Sequence, residues 1–364
     1  MTFAGQEMPH ALLSDMAWDA RRQMLQLIAV VEEAANVKTF TFRAAPGTWF
    51  RYKPGQFITL ELPVENGPVL RTYTLSSSPS RPFAISVTVK AQPGSVGTRW
   101  MFDHLRLGDQ LRAHGPSGHF THFGHGAAKY LFLSAGSGVT PMMSMLRWFA
   151  DCAPDTDVAF VSCARLPEDI LFRRELELAY QQMPALTLDF LVEARSAQAA
   201  WAGHKGRIDA DRLHVLVPDL SEREVFCCGP EPFMRLVRDL LQGAGFDMGH
   251  YHQESFGVEV ASAPPEHQQD DAAAPQTEPL AISFTLSRVE GHSQLGHTVL
   301  QTARALGVRI PAACEAGICG TCKVRLLSGS VAMTHSGGIF EEDVEDGYIL
   351  ACCSRPTNPI SIEA

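Results

Sequence analysis

Residues 129–141 read KYLFLSAGSGVTP: an apolar run, then Gly136-Ser137-Gly138, then Val139-Thr140-Pro141. An apolar run of this length ending in glycines, with Pro at the first helical turn, reads as a buried strand that turns sharply into a helix. The helix-like PMMSMLRWFADC follows, and the alternation repeats: DVAFVSCA into EDILFRRELELAYQQM, LTLDFLVEA into DADRLHVLV, and EVFCCGP into EPFMRLVRDLLQGAG. Strands alternating with helices predict βαβ units and a parallel sheet covered on both faces. Such sheets bind ligands at the carboxyl ends of their strands. Gly136 and Gly138 permit close approach of a dinucleotide, and Thr140 and Pro141 open the helix behind them. No G-K-[ST] follows, so this is no ATP-type phosphate loop, and Ala135 stands where a nucleophile elbow needs its first glycine, so Ser137 is not a nucleophile.

On the N-terminal side the period changes. Residues 25–32, VKTFTF, GQFITLEL, VLRTYTLSS, FAISVTVK and DQLRAH are short runs of strand composition separated by turn residues such as Pro54-Gly55 and Gly108-Asp109. Six such runs predict a small antiparallel barrel. On the C-terminal side, residues 258–279 hold four Pro, five Ala and five acids with no aromatic residue, too little apolar surface to offset the ordering entropy, and read as a flexible tether. Beyond it come the strand-like ISFTLSR, the helix-like TVLQTARALGV and a cluster of cysteines. The expected organisation is an N-terminal extension (1–22), a barrel (23–126), a parallel α/β domain (127–257), a linker (258–279) and a compact third domain (280–364).

Composition narrows the function. The 364 residues carry 30 basic and 40 acidic side chains, net charge −10, which opposes nucleic-acid binding, where clustered Lys and Arg are needed. No run approaches the roughly 18 apolar residues of a membrane span, and the N-terminus lacks the pattern of a signal peptide. A cytoplasmic protein is expected. Five of the nine cysteines lie in the last 51 residues. Cys314, Cys319 and Cys322 follow C-x4-C-x2-C, and Cys352 comes 30 positions later, the plant-type spacing of a 2Fe-2S cluster. Gly317 and Gly320 within CEAGICGTC let backbone wrap the cluster. Structural zinc is the alternative for four thiolates, disfavoured by the x4 spacing.

Arg71-Thr72-Tyr73-Thr74 fits the R-x-Y-[ST] signature, and the chain resembles the ferredoxin-NADP reductase superfamily. On a strand Arg71 and Tyr73 share a face, where a guanidinium can pair with pyrophosphate and a phenol can pack on the flavin ring, with Thr74 offering its hydroxyl. The resemblance implies that Val96, Gly97 and Thr98 carry the FAD pyrophosphate; a simple loop and cap is the alternative. It also implies that Cys228, Gly229 and Pro230 sit beside the nicotinamide, and that Glu254 or Phe256 lies near the flavin. Thr74, Cys228, Glu254 and Phe256 are thus the expected catalytic set; for Cys228 an ordinary buried thiol is the alternative. YILACCSRP resembles the last-ligand segment of plant-type ferredoxins and selects Cys352 over Cys353, making the third domain a β-grasp ferredoxin.

Five motifs in this order, and segments such as VFCCGPEPFMRLVRDLLQGAGFDMGHYHQESFG, resemble the reductase subunits of glycine betaine monooxygenase, a Rieske oxygenase system. The implied function is electron transfer from NADH, or NADPH, through FAD and the 2Fe-2S cluster to a terminal Rieske oxygenase. The same module order occurs in the reductases of hybrid cluster protein and of phenylacetyl-CoA epoxidase, and a redox-sensing module without turnover is a further alternative. SCARLPED offers no acid to grip a ribose diol, and Arg165 suits a 2′-phosphate, so coenzyme choice stays open with NADH favoured by the resemblance. His114, His119, His122 and His125 crowd one loop without helix-spaced metal-ligand order and read as solvated or packed residues. EEDVED (341–346) reads as a solvated helix start, with a docking patch as the alternative.

Overall fold

The structure is a computed structural model that describes residues 23–44, 49–65, 67–92, 94–255, 279–312, 315, 317, 320–335, 339 and 341–364. The extension 1–22, the tether apart from Pro279, and the expected site residues Phe256, Cys314 and Cys319 lie outside the described residues. The chain divides into two compact units, one holding most of the chain up to Gly257 and the other containing the C-terminal segment.

Six strands come first along the chain: β1 (Gln23–Ala34), β2 (Val37–Arg43), β3 (Phe57–Leu62), β4 (Val69–Thr74), β5 (Ile85–Lys90) and β6 (Gln110–Ser117). Alternation sets their faces: in β1 Leu25 and Leu27 point inward while Met24 and Ile28 are exposed. The sheet runs β4-β3-β6-β1-β2-β5. Its outer strands meet where Leu75, just past β4, bridges antiparallel to Val87 of β5, closing the barrel. Helix α1 (Val96–His104) crosses between β5 and β6.

The parallel sheet follows, with β7 (Lys129–Ala135), α2 (Val139–Cys152), β8 (Asp157–Ala164), α3 (Arg173–Gln182), β9 (Leu186–Val192), β10 (His204–Lys205), α4 (Ala210–Leu216), β11 (Glu224–Cys228), α5 (Glu231–Gly243) and β12 (Tyr251–Glu254). Its order is β10-β9-β8-β7-β11-β12, every pair parallel. The central strand β7 is apolar on both faces because helices cover both: Phe132 joins the core beneath α2 and α3, Leu131 and Leu133 the core beneath α4 and α5. The chain moves outward from β7 to β8, then returns to β11, so the switch in strand order lies between β7 and β11. The helix expected over EDILFRRELELAYQQM starts only at Arg173, because Phe172 adopts a left-handed conformation (φ 55°) before it. The short strands β10 and β12 carry no alternating apolar pattern that marks them in the sequence.

Barrel and parallel domain are joined through α2. Ser144 Oγ donates to Ser77 O at 2.6 Å, and Arg81 pairs with Asp151 at 2.7 Å. Arg147 donates to Ser76 O while its other nitrogens reach Glu175 at 2.7 and 2.6 Å. Gly55 (φ 93°) is packed so tightly that a Cβ there would stand 2.1 Å from Phe120 O and 2.7 Å from Met145 Cε on α2.

The C-terminal segment forms β13 (Leu280–Phe284), β14 (Val289–Ser293), α6 (Val299–Ala305), β15 (Lys323–Ser328), β16 (Val331–Met333), α7 (Glu341–Glu345), β17 (Tyr348–Leu350), β18 (Ser354–Pro356) and β19 (Ile360–Glu363). Five strands make one sheet, β14-β13-β19-β15-β17, in which β13 and β19 are parallel; β16 and β18 form a separate pair. Val299, Leu300 and Ala303 of α6 pack on Phe284, Ile360 and Ile362, a β-grasp core. Thr298 and Gln301 close a capping box that starts α6. The acidic run 341–346 opens as a short helix, α7, with Asp343 paired to Lys323 at 2.9 Å.

Candidate functional site

The crevice at the carboxyl ends of β7 and β11 is built by two interlocking turns. After Ala135 the chain enters a tight turn at Gly136–Gly138, with Gly136 at φ 55°, and Thr140 Oγ1 donates back to Ser137 O at 3.0 Å, fixing the start of α2. A Cβ on Gly138 would lie 2.2 Å from Cys228 O and 2.5 Å from Gly229 N. A Cβ on Gly229 would lie 2.9 Å from the Phe233 ring and 3.1 Å from Ala135 Cβ. Only hydrogen fits at either position. Pro141 stands in the first turn of α2 and Pro230 caps α5, so two helix amino termini open on one crevice, a place suited to the phosphates of a dinucleotide.

Thr74, Cys228 and Glu254 come together at this crevice from three strands. The Thr74 hydroxyl, itself buried at the end of β4, hydrogen-bonds the Glu254 carboxyl at the end of β12. Although Glu254 as a residue is only partly buried, its Oε2 is enclosed and has no hydrogen-bond partner among the described residues. Burial pushes the Glu254 carboxyl up to about 8, opposed by Thr74, so at neutral pH it is mainly the uncharged acid. Its neighbour Cys228 is fully buried, and burial, then the charge of Glu254, drives its thiol well above the ordinary range. The enclosed Oε2, without a hydrogen-bond partner among the described residues, and the open space beside Gly136 both fit a polar ligand at this crevice.

On β4, Arg71 is exposed, its Nη1 donating to Leu70 O at 2.8 Å, and Tyr73, two residues on, shares its face and is partly buried. The amino end of α1 supplies the other expected phosphate contact. Ser95 caps it by accepting from Thr98 N, Gly97 and Thr98 are buried, and Val96 is exposed. Thr98 Oγ1 accepts from Gln92 N at 3.2 Å, which ties the preceding loop to the helix; its hydroxyl hydrogen and the backbone N–H groups of the first turn are the donors this end can offer a phosphate.

In the C-terminal unit, Cys322 and Cys352 are buried side by side, Cys352 N donating to Cys322 Sγ at 3.4 Å. The Cys322 and Cys353 thiols beside it, outweighing burial, hold the Cys352 thiol well below the usual thiol range. Glu315, Gly317 and Gly320 all have positive φ, the tightly wound backbone a cluster loop requires, and a Cβ on Gly317 would lie 2.9 Å from Cys353 Sγ. Cys353 Sγ also lies 3.7 Å from Leu350 O. Paired thiolate donors beneath left-handed backbone fit an iron–sulfur cluster.

Arg147 and Ser144 were not singled out by the sequence, which shows them only as polar residues of a helix. They hold the strand exit after Thr74 against α2, and so fix Thr74 relative to the Gly138 turn.

Three family models match the chain: "Oxidoreductase FAD-binding domain" over residues 24–122, "Oxidoreductase NAD-binding domain" over 132–239 and "2Fe-2S iron-sulfur cluster binding domain" over 287–357. The stachydrine N-demethylase reductase subunit of Rhizobium meliloti is 49% identical over 93% of this chain and 96% of its own length. The glycine betaine monooxygenase reductase subunit of Pseudomonas aeruginosa is 43% identical over 96% of this chain and 98% of its own. Among solved structures, phthalate dioxygenase reductase superposes with a TM-score of 0.57 at 23% identity, covering 94% of this chain and 98% of its own, and shares the fold. No helix among the described residues is long and apolar enough to cross a membrane. The protein is an NAD(P)H-dependent flavin and iron–sulfur oxidoreductase, and the chain belongs to the family of monooxygenase reductase subunits that join FAD-binding, NAD-binding and 2Fe-2S domains.

Proposed function

We propose that this chain delivers electrons from NADH to the terminal Rieske component of a monooxygenase that removes a methyl group from a quaternary amine of the glycine betaine kind. The observation that carries the reading is the meeting of Thr74 from the barrel with Cys228 and Glu254 from the sheet at the strand-order switch. When bound, FAD supplies a ring that takes an electron pair from nicotinamide and passes it on singly to a 2Fe-2S centre.

The chain's own residues bind and position. Arg71 and the amino end of α1, at Val96, Gly97 and Thr98, hold the FAD pyrophosphate, and Tyr73 packs on the ring. Gly136, Gly138, Thr140 and Pro141 shape the pocket for the coenzyme phosphates, while Cys228, Gly229 and Pro230 form the wall against which the nicotinamide lies. Glu254, uncharged near neutrality, holds a proton at its carboxyl within reach of Thr74. Phe256 is assigned to the flavin site by the family resemblance alone. Cys314, Cys319, Cys322 and Cys352 ligate the cluster, and residues 258–279 tether its domain so that its local concentration stays high. The protein works in the cytoplasm, where thiol ligands stay reduced.

Glycine betaine and stachydrine are both N-methylated quaternary amines, and the 49% identity to a stachydrine demethylase reductase gives the second substrate equal standing. The test mixes the purified holoprotein and NADH with the oxygenase component for each amine and measures formaldehyde. Release with either supports the reading. Reduction of an artificial acceptor without release from either, in the presence of active oxygenases, overturns it.

A further inference from the structure

At the opposite end of β11 from Cys228, two chain segments bring three imidazoles onto one carboxylate. Glu224, the first residue of β11, is 7% exposed. Its Oε1 lies 3.2 Å from His125 Nδ1 and 2.5 Å from His252 Nε2, and its Oε2 lies 2.8 Å from His250 Nδ1. His125 comes from the segment joining barrel to sheet, and His250 and His252 from the start of β12. The ligand atoms of His125, Glu224 and His252 all lie within 4.8 Å of one another.

We propose that His125, Glu224 and His252 form a site for one zinc-class divalent cation, with His250 orienting the carboxylate from outside. Two imidazole nitrogens and a carboxylate oxygen are the donor set of many zinc centres, with bonds of about 2.0–2.2 Å and donor atoms roughly 3.3 Å apart. The His125 and His252 rings stand 4.2 Å apart, both aimed at the same oxygen. Two imidazolium rings at that spacing repel, and one carboxylate balances only one of them; a single dication satisfies both ring lone pairs and the carboxylate. Entry of the ion needs His252 to draw back from Oε1 by roughly 1 Å to reach a zinc-like spacing.

The surroundings are built for a fixed site. The Phe226 ring flanks both imidazoles, with centroids 5.7 Å from His125 and 4.9 Å from His252. Tyr130 Oη donates to His125 O at 2.9 Å and holds that segment. Arg223, the cation next in sequence to Glu224, is engaged elsewhere, by Asp219 at 2.7 Å and Asp157 at 2.8 Å. His250 on the second oxygen is the outer partner that metal-bound carboxylates commonly have. Since β11 advances about 3.3 Å per residue, roughly 13 Å separates Glu224 from Cys228, so the ion ties β11, the start of β12 and the segment joining barrel to sheet together without touching the reacting crevice.

The test uses the full-length holoprotein, cleared of adventitious metal by a mild chelator and then dialysed against zinc chloride. The expected result is one zinc per chain beyond the cluster iron, with a zinc K-edge spectrum showing only nitrogen and oxygen neighbours at about 2.0 Å and no sulfur at about 2.3 Å. His125→Gln with His252→Gln weakens zinc binding about tenfold or more while flavin, iron and NADH turnover stay unchanged. No retained zinc, sulfur neighbours in the spectrum, or undiminished zinc affinity in the double variant overturns the proposal. The wild-type spectrum decides alone if the double variant does not fold.

Discussion

The hydroxyl of Thr74, at the end of a barrel strand, hydrogen-bonds the carboxyl of Glu254, at the end of the last strand of the parallel sheet. The bond joins the two domains that must present FAD and nicotinamide to each other, and among the described residues it is what opposes the burial driving this carboxyl toward the neutral form.

Because Glu254 sits at about 8, the acid form dominates at pH 7 and the anion above pH 8. An anion in this enclosed site opposes negative charge accumulating on the flavin. Flavin reduction by NADH is expected to fall above pH 8 toward tenfold per pH unit, about the rate at which the acid form disappears. Glu254→Gln, neutral at every pH, should retain wild-type rates near pH 7 and be flat to pH 9. Stopped-flow absorbance of the flavin across that range is the measurement, and an equal decline in the variant removes Glu254 from the account.

Gly138→Ala places a methyl group 2.2 Å from Cys228 O, against backbone that cannot yield cheaply. The expected consequence is a shift of the Cys228-Gly229-Pro230 wall and a loss on the order of 10²-fold in kcat/KM for NADH. Flavin and iron content should be unchanged. Steady-state kinetics beside cofactor analysis separates this local effect from misfolding.

His122 is buried among Phe123, Tyr130, Trp148 and Phe149, and neither ring nitrogen has a hydrogen-bond partner among the described residues. Burial, with a smaller push from His125, lowers it from 6.5 to about 3. The folded pKa lies below the unfolded one, so the unfolded chain binds the extra proton first. Stability from this group is intact above pH 6.5 and declines by about 1.4 kcal/mol per pH unit from there toward pH 3. Urea midpoints at pH 7.5 and 5 should draw apart less in His122→Phe than in the wild type, and equal differences would falsify the assignment.

Cys352→Ser and Cys353→Ser test the neighbouring thiols. Cys352 is buried against Cys322, and Cys353 Sγ lies 3.7 Å from Leu350 O. The first variant should lose cluster absorbance and acid-labile sulfide while NADH still bleaches the flavin; the second should keep its iron. The reverse pattern of iron analysis exchanges the ligand.

The modules were legible because each announces itself over a few residues. A glycine turn after an apolar run, C-G-P after a strand, and C-x4-C-x2-C are local solutions to local demands on backbone and ligands, so the sequence carries them intact. The six barrel strands appear where alternation and turns place them. Strand β12 was not legible: YHQE has no apolar alternation and is a strand only because β11 offers it a partner.

What the sequence determined by itself is the order of the modules, their cofactors and the residues that mark them. Tertiary structure alone decided which of these residues meet. Thr74 reaches Glu254, Gly138 touches Cys228, and His125, read in the sequence as a solvated or packed loop residue, joins Glu224 and His252. The reason is physical: spacing along a chain constrains only neighbours within a turn or strand, while contacts between distant segments follow from how sheet, helices and barrel bury their apolar faces against one another.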